Sequence, residues 1–350
     1  MTLTQGGGSS CQIFEEFSTA LEAINKYYTE QDSTHYLDDF FFVDDNTHIS
    51  LENKLTFDAI CFDIGIPQAP DKVTAPSTIT EFLGISLDSE TWKATLPQDK
   101  LAKYTEAIQQ SLQATHLSQT QLQSLVGKLQ FASLVVPARA FLRRLIDKVG
   151  TVDKPYKHIK LTTEMKQDLK VWLQFLESYN GVTYFRALSI LPYDHYNMGA
   201  DASKLGFGAT FKDRWIQEAY PPDWVTMFDN HDIGITTLEL YPIYVLIAMF
   251  GHNIRNSSVL FHSDNQGVVD VINKQSSHNP IMMNIIRPLV SLLMENNIML
   301  RSQHIPGVRN TLCDAISRFQ IDQDMLQEYR MQHKPEPIPH NLKSKNFKLK

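Results

Sequence analysis

From about residue 195 the apolar residues change spacing in a fixed order, and that order restricts what this part of the chain can become. "HYNMGADAS", "GFGATFK" and "WIQEAY" read as three strands, "TTLELYPIYVLIAMF" as a helix and "SSVLFHSD" as a strand. "NQGVVDVINK" and roughly residues 280 to 295 read as helices, "NIMLRSQHI" as a late strand and "NTLCDAISRF" as a last short helix. The first two strands can lie centrally, with the next parallel strand beside them. Asp201 then follows one strand, Asp264 ends its neighbour, and Glu239 and Asp314 face them from helices. Each acid taken singly is more often a cap or turn residue. Four that converge, without His or Cys partners, are hard oxygen ligands and suit Mg²⁺ or Mn²⁺ in place of zinc.

The front of the chain poses a different question in "STHYLDDFFFV", where Asp38 and Asp39 stand inside an aromatic run. Two charges about 4 Å apart at an effective dielectric near 20 repel by roughly 4 kcal/mol. Residues 36 to 43 read as a strand, 55 to 66 as a helix, and 77 to 89 as a strand that pairs with "TWKATLP". "VDD" at 43 to 45 reads as loop. "GGGSS" is either a flexible linker or a turn, and the apolar face Ile13, Phe14, Phe17, Leu21 and Ile24 behind it favours the turn. From Gln98 the period is helical. Ser118 is the expected N-cap of a helix with Leu122, Leu125, Val126 and Leu129 on one face. "ARAFLRRLIDKV" and "TTEMKQDLKVWLQFLESY" supply two more helices, the latter stopping before Asn180-Gly181. The tail from His333 is proline-bearing, then basic, and is expected to be disordered.

Composition narrows the class. Of 350 residues 43% are hydrophobic and 20% charged, ordinary for a soluble globular protein. No apolar run is read as approaching the ~20 residues that cross a bilayer, and no signal segment follows Met1. Three cysteines, Cys11, Cys61 and Cys313, lack metal-ligand spacing and suit the cytosol or nucleus. The expected location is therefore cytoplasmic or nuclear, not secreted, with no membrane partner. Net charge is −7 but unevenly spread. Residues 1 to 98 hold 4 Lys/Arg against 16 Asp/Glu, residues 99 to 170 hold 12 against 6, and the rest hold 16 against 17. A basic middle is either a phosphate-tracking surface or a solvated helical face.

"GADASKLGFGA", "TTLELYPI", "FHSDNQGVVDVIN" and "HIPGVRNTLCDAISR", in that order over about residues 195 to 320, resemble the ribonuclease H family fused to reverse transcriptases. The resemblance implies that Asp201, Glu239, Asp264 and Asp314 bind two Mg²⁺ (or Mn²⁺) ions and that Gly206 and Gly208 mark a tight second strand. It also implies that Asn265 and Gln266 reach the hybrid's backbone or 2′-hydroxyls. His304 matches either a mobile histidine that assists product release or an aromatic-His-Pro-Gly turn.

With such a module behind it, "YLDD" (Tyr36 to Asp39) resembles the palm hairpin of a reverse transcriptase, whose aspartates hold magnesium. Gln5 and Gly6 resemble the Gln-Gly turn upstream, Lys72 the lysine that protonates pyrophosphate, "FLGISL" the primer-gripping hairpin, and the basic helices a thumb. The order of motifs resembles DIRS-like, tyrosine-recombinase retrotransposons.

The implied fold class is α/β (α+β), with a truncated reverse transcriptase palm (1–98) and a helical thumb/connection (99–190). A ribonuclease H-like mixed-sheet domain (191–322) and a flexible basic tail (323–350) complete it. Gln5 stands four residues after Met1, so the strand bearing the third polymerase aspartate is expected to be absent and the polymerase half inactive. The implied reaction is two-metal hydrolysis of RNA in RNA–DNA hybrids. The expected partners are such a hybrid, a template-primer, and a full-length reverse transcriptase that complements this chain. A non-catalytic nucleic-acid-binding remnant and an integrase- or transposase-like enzyme are the competing readings.

Overall fold

The structure is a computed structural model that describes residues 7–69, 73–151, 157–179, 183–184, 190–191 and 198–349. The chain divides into two compact units, Met1–Thr91 and Trp92–Lys350. The first therefore ends seven residues before the boundary expected at 98, and the expected thumb, nuclease-like region and tail share the second.

In the first unit α1 (Ser10–Thr29) precedes β1 (Ser33–Tyr36) and β2 (Asp39–Phe42), which pair antiparallel with Tyr36 opposite Asp39. The single strand expected over 36–43 is thus one arm and the turn of a hairpin. Leu37 and Asp38 form the two-residue turn, and Leu37 takes the positive φ of 52° that primed hairpin turns require. The aromatic run is used locally: Phe40 and Phe42 pack on Phe57 of α2 (Thr47–Asp63), and Phe41 stacks on Phe82. α2 begins eight residues before the expected start because Asn46 caps it, accepting from the backbone N–H groups of His48 and Ile49. β3 (Ile79–Phe82) and β4 (Ile85–Asp88) form a second hairpin that turns at Leu83 and Gly84, both with positive φ. The single strand that alternation suggests over 77–89 is broken there, at the hairpin that the resemblance of "FLGISL" implies.

The second unit opens with β5 (Lys93–Thr95), α3 (Gln98–Gln113), β6 (His116–Ser118), α4 (Gln119–Ala132), α5 (Arg143–Gly150), β7 (His158–Lys160) and α6 (Thr163–Tyr179). Ser118 caps α4 in a full capping box with Gln121, and Leu122, Leu125, Val126 and Leu129 are buried as their spacing predicts. Short strands β8 (Thr183–Tyr184) and β9 (Ile190–Leu191) follow, β8 antiparallel to β5.

Next come β10 (Gly199–Ala202), β11 (Gly206–Phe211) and β12 (Arg214–Ala219), an antiparallel meander. α7 (Pro222–Asp229) has no counterpart in the sequence reading, although Pro222 at its start and Asp223 in its first turn signal it. α8 (Ile235–Phe250), β13 (Ser257–Ser263), α9 (Gln266–Lys274), α10 (Pro280–Glu295), β14 (Ile298–His304) and α11 (Thr311–Ser317) follow in the expected order. β13 lies between β14 and β9 and is parallel to both. β10 packs against β13, but no ladder joins them among the described residues, so Asp201 and Asp264 are not on hydrogen-bonded neighbours as expected. The stretch Ile235–Ile254 is long and apolar enough to match a membrane span, contrary to the sequence reading. Burial of ten of its side chains in α8, Leu238, Leu240, Tyr241 and Leu246 among them, accounts for that apolarity.

The tail is not free. After α12 (Gln323–Glu328) the chain runs beside β12, where Gln332 and Glu336 donate backbone N–H groups to Asp213 and Trp215 at 2.7 Å each. It then crosses α8 and α10, burying Ile338, Leu342, Ser344 and Leu349. The expectation of disorder weighed proline and lysine content, whereas Leu342, Phe347 and Leu349 find an apolar seat and β12 gains cover for its edge.

Helix α5 and helix α6 are fastened to α10 by one buried acid. Asp168 accepts from Arg144 at 2.7 Å and lies 3.5 Å from Arg287 of α10. Burial raises its pKa against the pull of both guanidinium groups. Replacing Asp168 with Ala takes from Arg144 and Arg287 their buried partner and is expected to cost about 3–5 kcal/mol in urea unfolding. A loss under about 1 kcal/mol would show that the pair is not fastening these helices.

Candidate active site

The acids of the second unit come together because α11 lies almost on the sheet. An added Cβ at Gly208 of β11 would stand 2.5 Å from Ile316 Cγ2 and 2.9 Å from the Ser317 backbone nitrogen. Only a glycine leaves that space. The open carbonyls at the end of α11 are taken by side chains of the meander: Ser203 donates to Ser317 O at 2.8 Å and Gln217 to Ile316 O at 2.5 Å. Helix and sheet are thereby locked in register, and the fully buried Ser317 hydroxyl donates to Asp201 Oδ2 at 2.5 Å.

Asp201 is itself buried, 6% exposed, on β10. Its pKa is pushed up to about 6, first by desolvation and then by the neighbouring charges of Asp264 and Asp314, against the Ser317 hydrogen bond. Glu239, on α8, is pushed up to about 8 by desolvation and by Asp201 and Asp264, with the Asn265 side chain opposing. Asp264 follows β13, and Asn310, 4% exposed, reaches both its Oδ1 and the Ala200 carbonyl at 3.4 Å. Gly307 brings the 305–310 loop over it: an added Cβ would meet Asp264 Oδ2 at 3.2 Å. Asp314 is more open and binds Arg318 at 2.7 Å.

The four carboxylates therefore share one electrostatic neighbourhood, but not a preformed ligand set. No three His, Cys, Asp or Glu among the described residues are near enough together to hold one ion as the side chains stand. Repulsion explains the spread, with Asp201 turned to Ser317 and Asp314 to Arg318. The donor set still fits a hard divalent cation. It is all carboxylate oxygen, it is partly desolvated, and its buried Asp201 and half-buried Glu239 titrate above the usual carboxylate range for want of positive charge. Asp201, Glu239, Asp264 and Asp314 are the residues that would hold it.

The remaining expected residues fall unevenly. Asn265 is the N-cap of α9, its Oδ1 accepting from Gly267 N and Val268 N, and its side chain also bonds Glu239. The role expected for it, substrate contact, competes with this internal one. Gln266 is exposed and bonds Asp270 at 2.9 Å. His304 is exposed, its Nε2 3.1 Å from the Asp264 backbone carbonyl, beside the pocket and next to the Ile305–Pro306 turn. Ser317 and Asn310 were missed by the sequence reading. Ser317 lies one helical turn beyond Asp314, and that spacing was its only signal.

In the first unit Asp38 and Asp39 are exposed at the hairpin turn and line a cavity of about 500 Å³ with Phe14, Phe17, Phe41 and Phe82. Tyr36 is 59% exposed. Gln5, Gly6 and Lys72 lie outside the described residues.

No protein-family model matches the chain, and no curated protein matches it. Among solved structures it is similar to the foamy viral protease-reverse transcriptase dRH in complex with double-stranded DNA. The identity is 16%, over 84% of this chain and 49% of that one, with a TM-score of 0.44. It is also similar to the foamy viral protease-reverse transcriptase with RNA/DNA hybrid (15%, 86% and 38%, 0.44) and with double-stranded DNA (15%, 87% and 60%, 0.45). The chain spans 38% to 60% of the length of these structures. Likenesses this distant assign no role to any residue.

Glu239 predicts a pH dependence of stability. Its pKa in the fold, about 8, lies above the ordinary 4.5, so between those values the folded state binds more protons than the unfolded one. Its contribution is fully present below pH 4.5 and is lost as pH rises towards 8. Unfolding free energy of the metal-free protein is expected to fall by up to about 1.4 kcal/mol per pH unit on this account. Glu239→Gln should flatten the slope between pH 5 and 8 in urea titrations. An unchanged slope would refute the burial of that charge.

Proposed function

We propose that the second unit is a divalent-metal-dependent nuclease of the ribonuclease H type that cuts the RNA strand of RNA–DNA hybrids. The observation that carries this is the shared electrostatic neighbourhood of four carboxylates from β10, α8, the end of β13 and α11, two of them pushed well above their usual pKa by burial and by neighbouring acids. Bound there, a pair of Mg²⁺ or Mn²⁺ ions supplies an activated water and neutralises charge on the leaving oxygen. Asp201, Glu239, Asp264 and Asp314 are the residues that would hold the metals. Ser317 and Asn310 orient Asp201 and Asp264, and we assign product release to His304, whose Nε2 is 3.1 Å from the Asp264 carbonyl. Lys103, Arg139, Lys157, Lys160 and Lys170 are exposed on the basic segment, where phosphates of a duplex are their natural partners. The Asp38–Asp39 turn is open to solvent, and we assign no DNA synthesis to it. Primer extension by this polypeptide with Mg²⁺ or Mn²⁺ would contradict that assignment.

The test is an end-labelled RNA–DNA hybrid incubated with the full chain and Mg²⁺ or Mn²⁺. Cleavage is expected, and Asp264→Asn should slow it about 10³-fold, some 4 kcal/mol of barrier, while hybrid binding persists. Wild-type rates in the variant would remove Asp264 from the site. Salt-sensitive binding without cleavage under either metal would favour a non-catalytic nucleic-acid-binding remnant, a reading that the unconverged carboxylate oxygens keep in view.

A further inference from the structure

Helix α8 holds Glu239 in a turn that its own backbone cannot complete. Pro242, inside the helix, has no N–H for the carbonyl of Leu238 four residues earlier. The buried Tyr220 donates its hydroxyl to that carbonyl at 2.7 Å and so replaces the missing helical bond beside Glu239. Two residues beyond Glu239, a rotation of roughly 200°, Tyr241 points the other way. Its hydroxyl donates to the Leu342 carbonyl of the C-terminal strap at 2.9 Å. Its ring centroid lies 4.9 Å from Trp224 and 5.1 Å from Phe347, and Phe347 also reaches Tyr244 at 5.5 Å. The strap is anchored at both ends of this contact, by Ser344 N donating to Glu218 Oε2 at 3.1 Å and by Asn284 Nδ2 donating to Leu349 O at 3.1 Å.

We propose that Tyr220 and Phe347 are positioning residues for the metal pocket. They clamp the Leu238–Tyr241 turn from two sides and hold the Glu239 carboxylate towards Asp201 and Asp264. The C-terminal strap is thus a working part of the site although none of the clamp's strap contacts involves a pocket carboxylate. The inference rests on the reading of that pocket as a divalent-metal site. Groups that orient metal ligands typically govern 10- to 100-fold of affinity, and a ligand displaced by 1 Å is already loose.

The experiment titrates MnCl₂ into the full chain by calorimetry and follows amide hydrogen exchange across residues 235–250. Tyr220→Phe removes one hydroxyl and keeps the ring, Phe347→Ala removes the strap's anchor, and Phe347→Tyr restores an aromatic ring. Tyr220→Phe and Phe347→Ala are expected to weaken Mn²⁺ binding at least about 10-fold and to speed exchange around Glu239, with Phe347→Tyr returning both towards wild type. Lower thermal stability or faster exchange at wild-type Mn²⁺ affinity would overturn the proposal, because that is a merely structural effect. Should the wild-type chain bind no Mn²⁺, the metal-site reading itself falls. The positioning proposal falls with it in that case, an outcome distinct from wild-type Mn²⁺ affinity in Tyr220→Phe and Phe347→Ala, which overturns the clamp and leaves the metal-site reading standing.

Discussion

The arrangement of the second unit depends on a close approach of helix α11 to strand β11 that only Gly208 permits. That approach brings Ser317 within hydrogen-bond range of Asp201 and places Asp314 in the same electrostatic field. The cost is a set of partly desolvated acids that repel one another, so Asp201 and Glu239 hold their protons to higher pH than usual, Glu239 through neutrality. A fold retains such a cluster at a cost in stability, and a divalent cation is the partner we propose for it. The spread of the side chains, with Asp201 turned to Ser317 and Asp314 to Arg318, is what repulsion alone would produce.

Much of this was legible in the chain itself. The order of strands and helices after residue 198, the Ser118 cap and the buried face Leu122–Leu129 follow from apolar spacing, because each element buries one face against the same core. The four acids were legible as positions on elements. Their partners were not, since Ser317 and Asn310 are ordinary residues whose meaning comes from what the fold brings opposite them. Two errors have one cause. The hairpin turns at Leu37 and Leu83 place leucines at positive φ, so apolar alternation alone reads each hairpin as one strand, and only the resemblance of "YLDD" and "FLGISL" marks the turns. The strap was likewise judged on prolines and lysines, whereas three apolar side chains with a seat to fill outweigh them.

The two units differ in how well they use their apolar residues. The second closes on large buried groups such as Trp172, Phe207, Trp224, Tyr241 and Phe261. In the first, a cluster of Leu21, Phe57 and Cys61 carries the core, while Tyr27, Phe62 and Val43 remain largely exposed. A core that small supplies little stabilisation for some ninety residues. The chemistry proposed above accordingly belongs to the second unit, where rigid elements hold the acids.

The central claim is that carboxylates from four separate elements seat a pair of ions, and electron paramagnetic resonance of bound Mn²⁺ tests it most directly. Two ions sharing ligands at roughly 3.5–4 Å should give a spin-coupled spectrum at two equivalents, lost in a chain lacking the Asp201 carboxylate. A spectrum of isolated Mn²⁺ only, or no bound Mn²⁺ at all, would contradict the account.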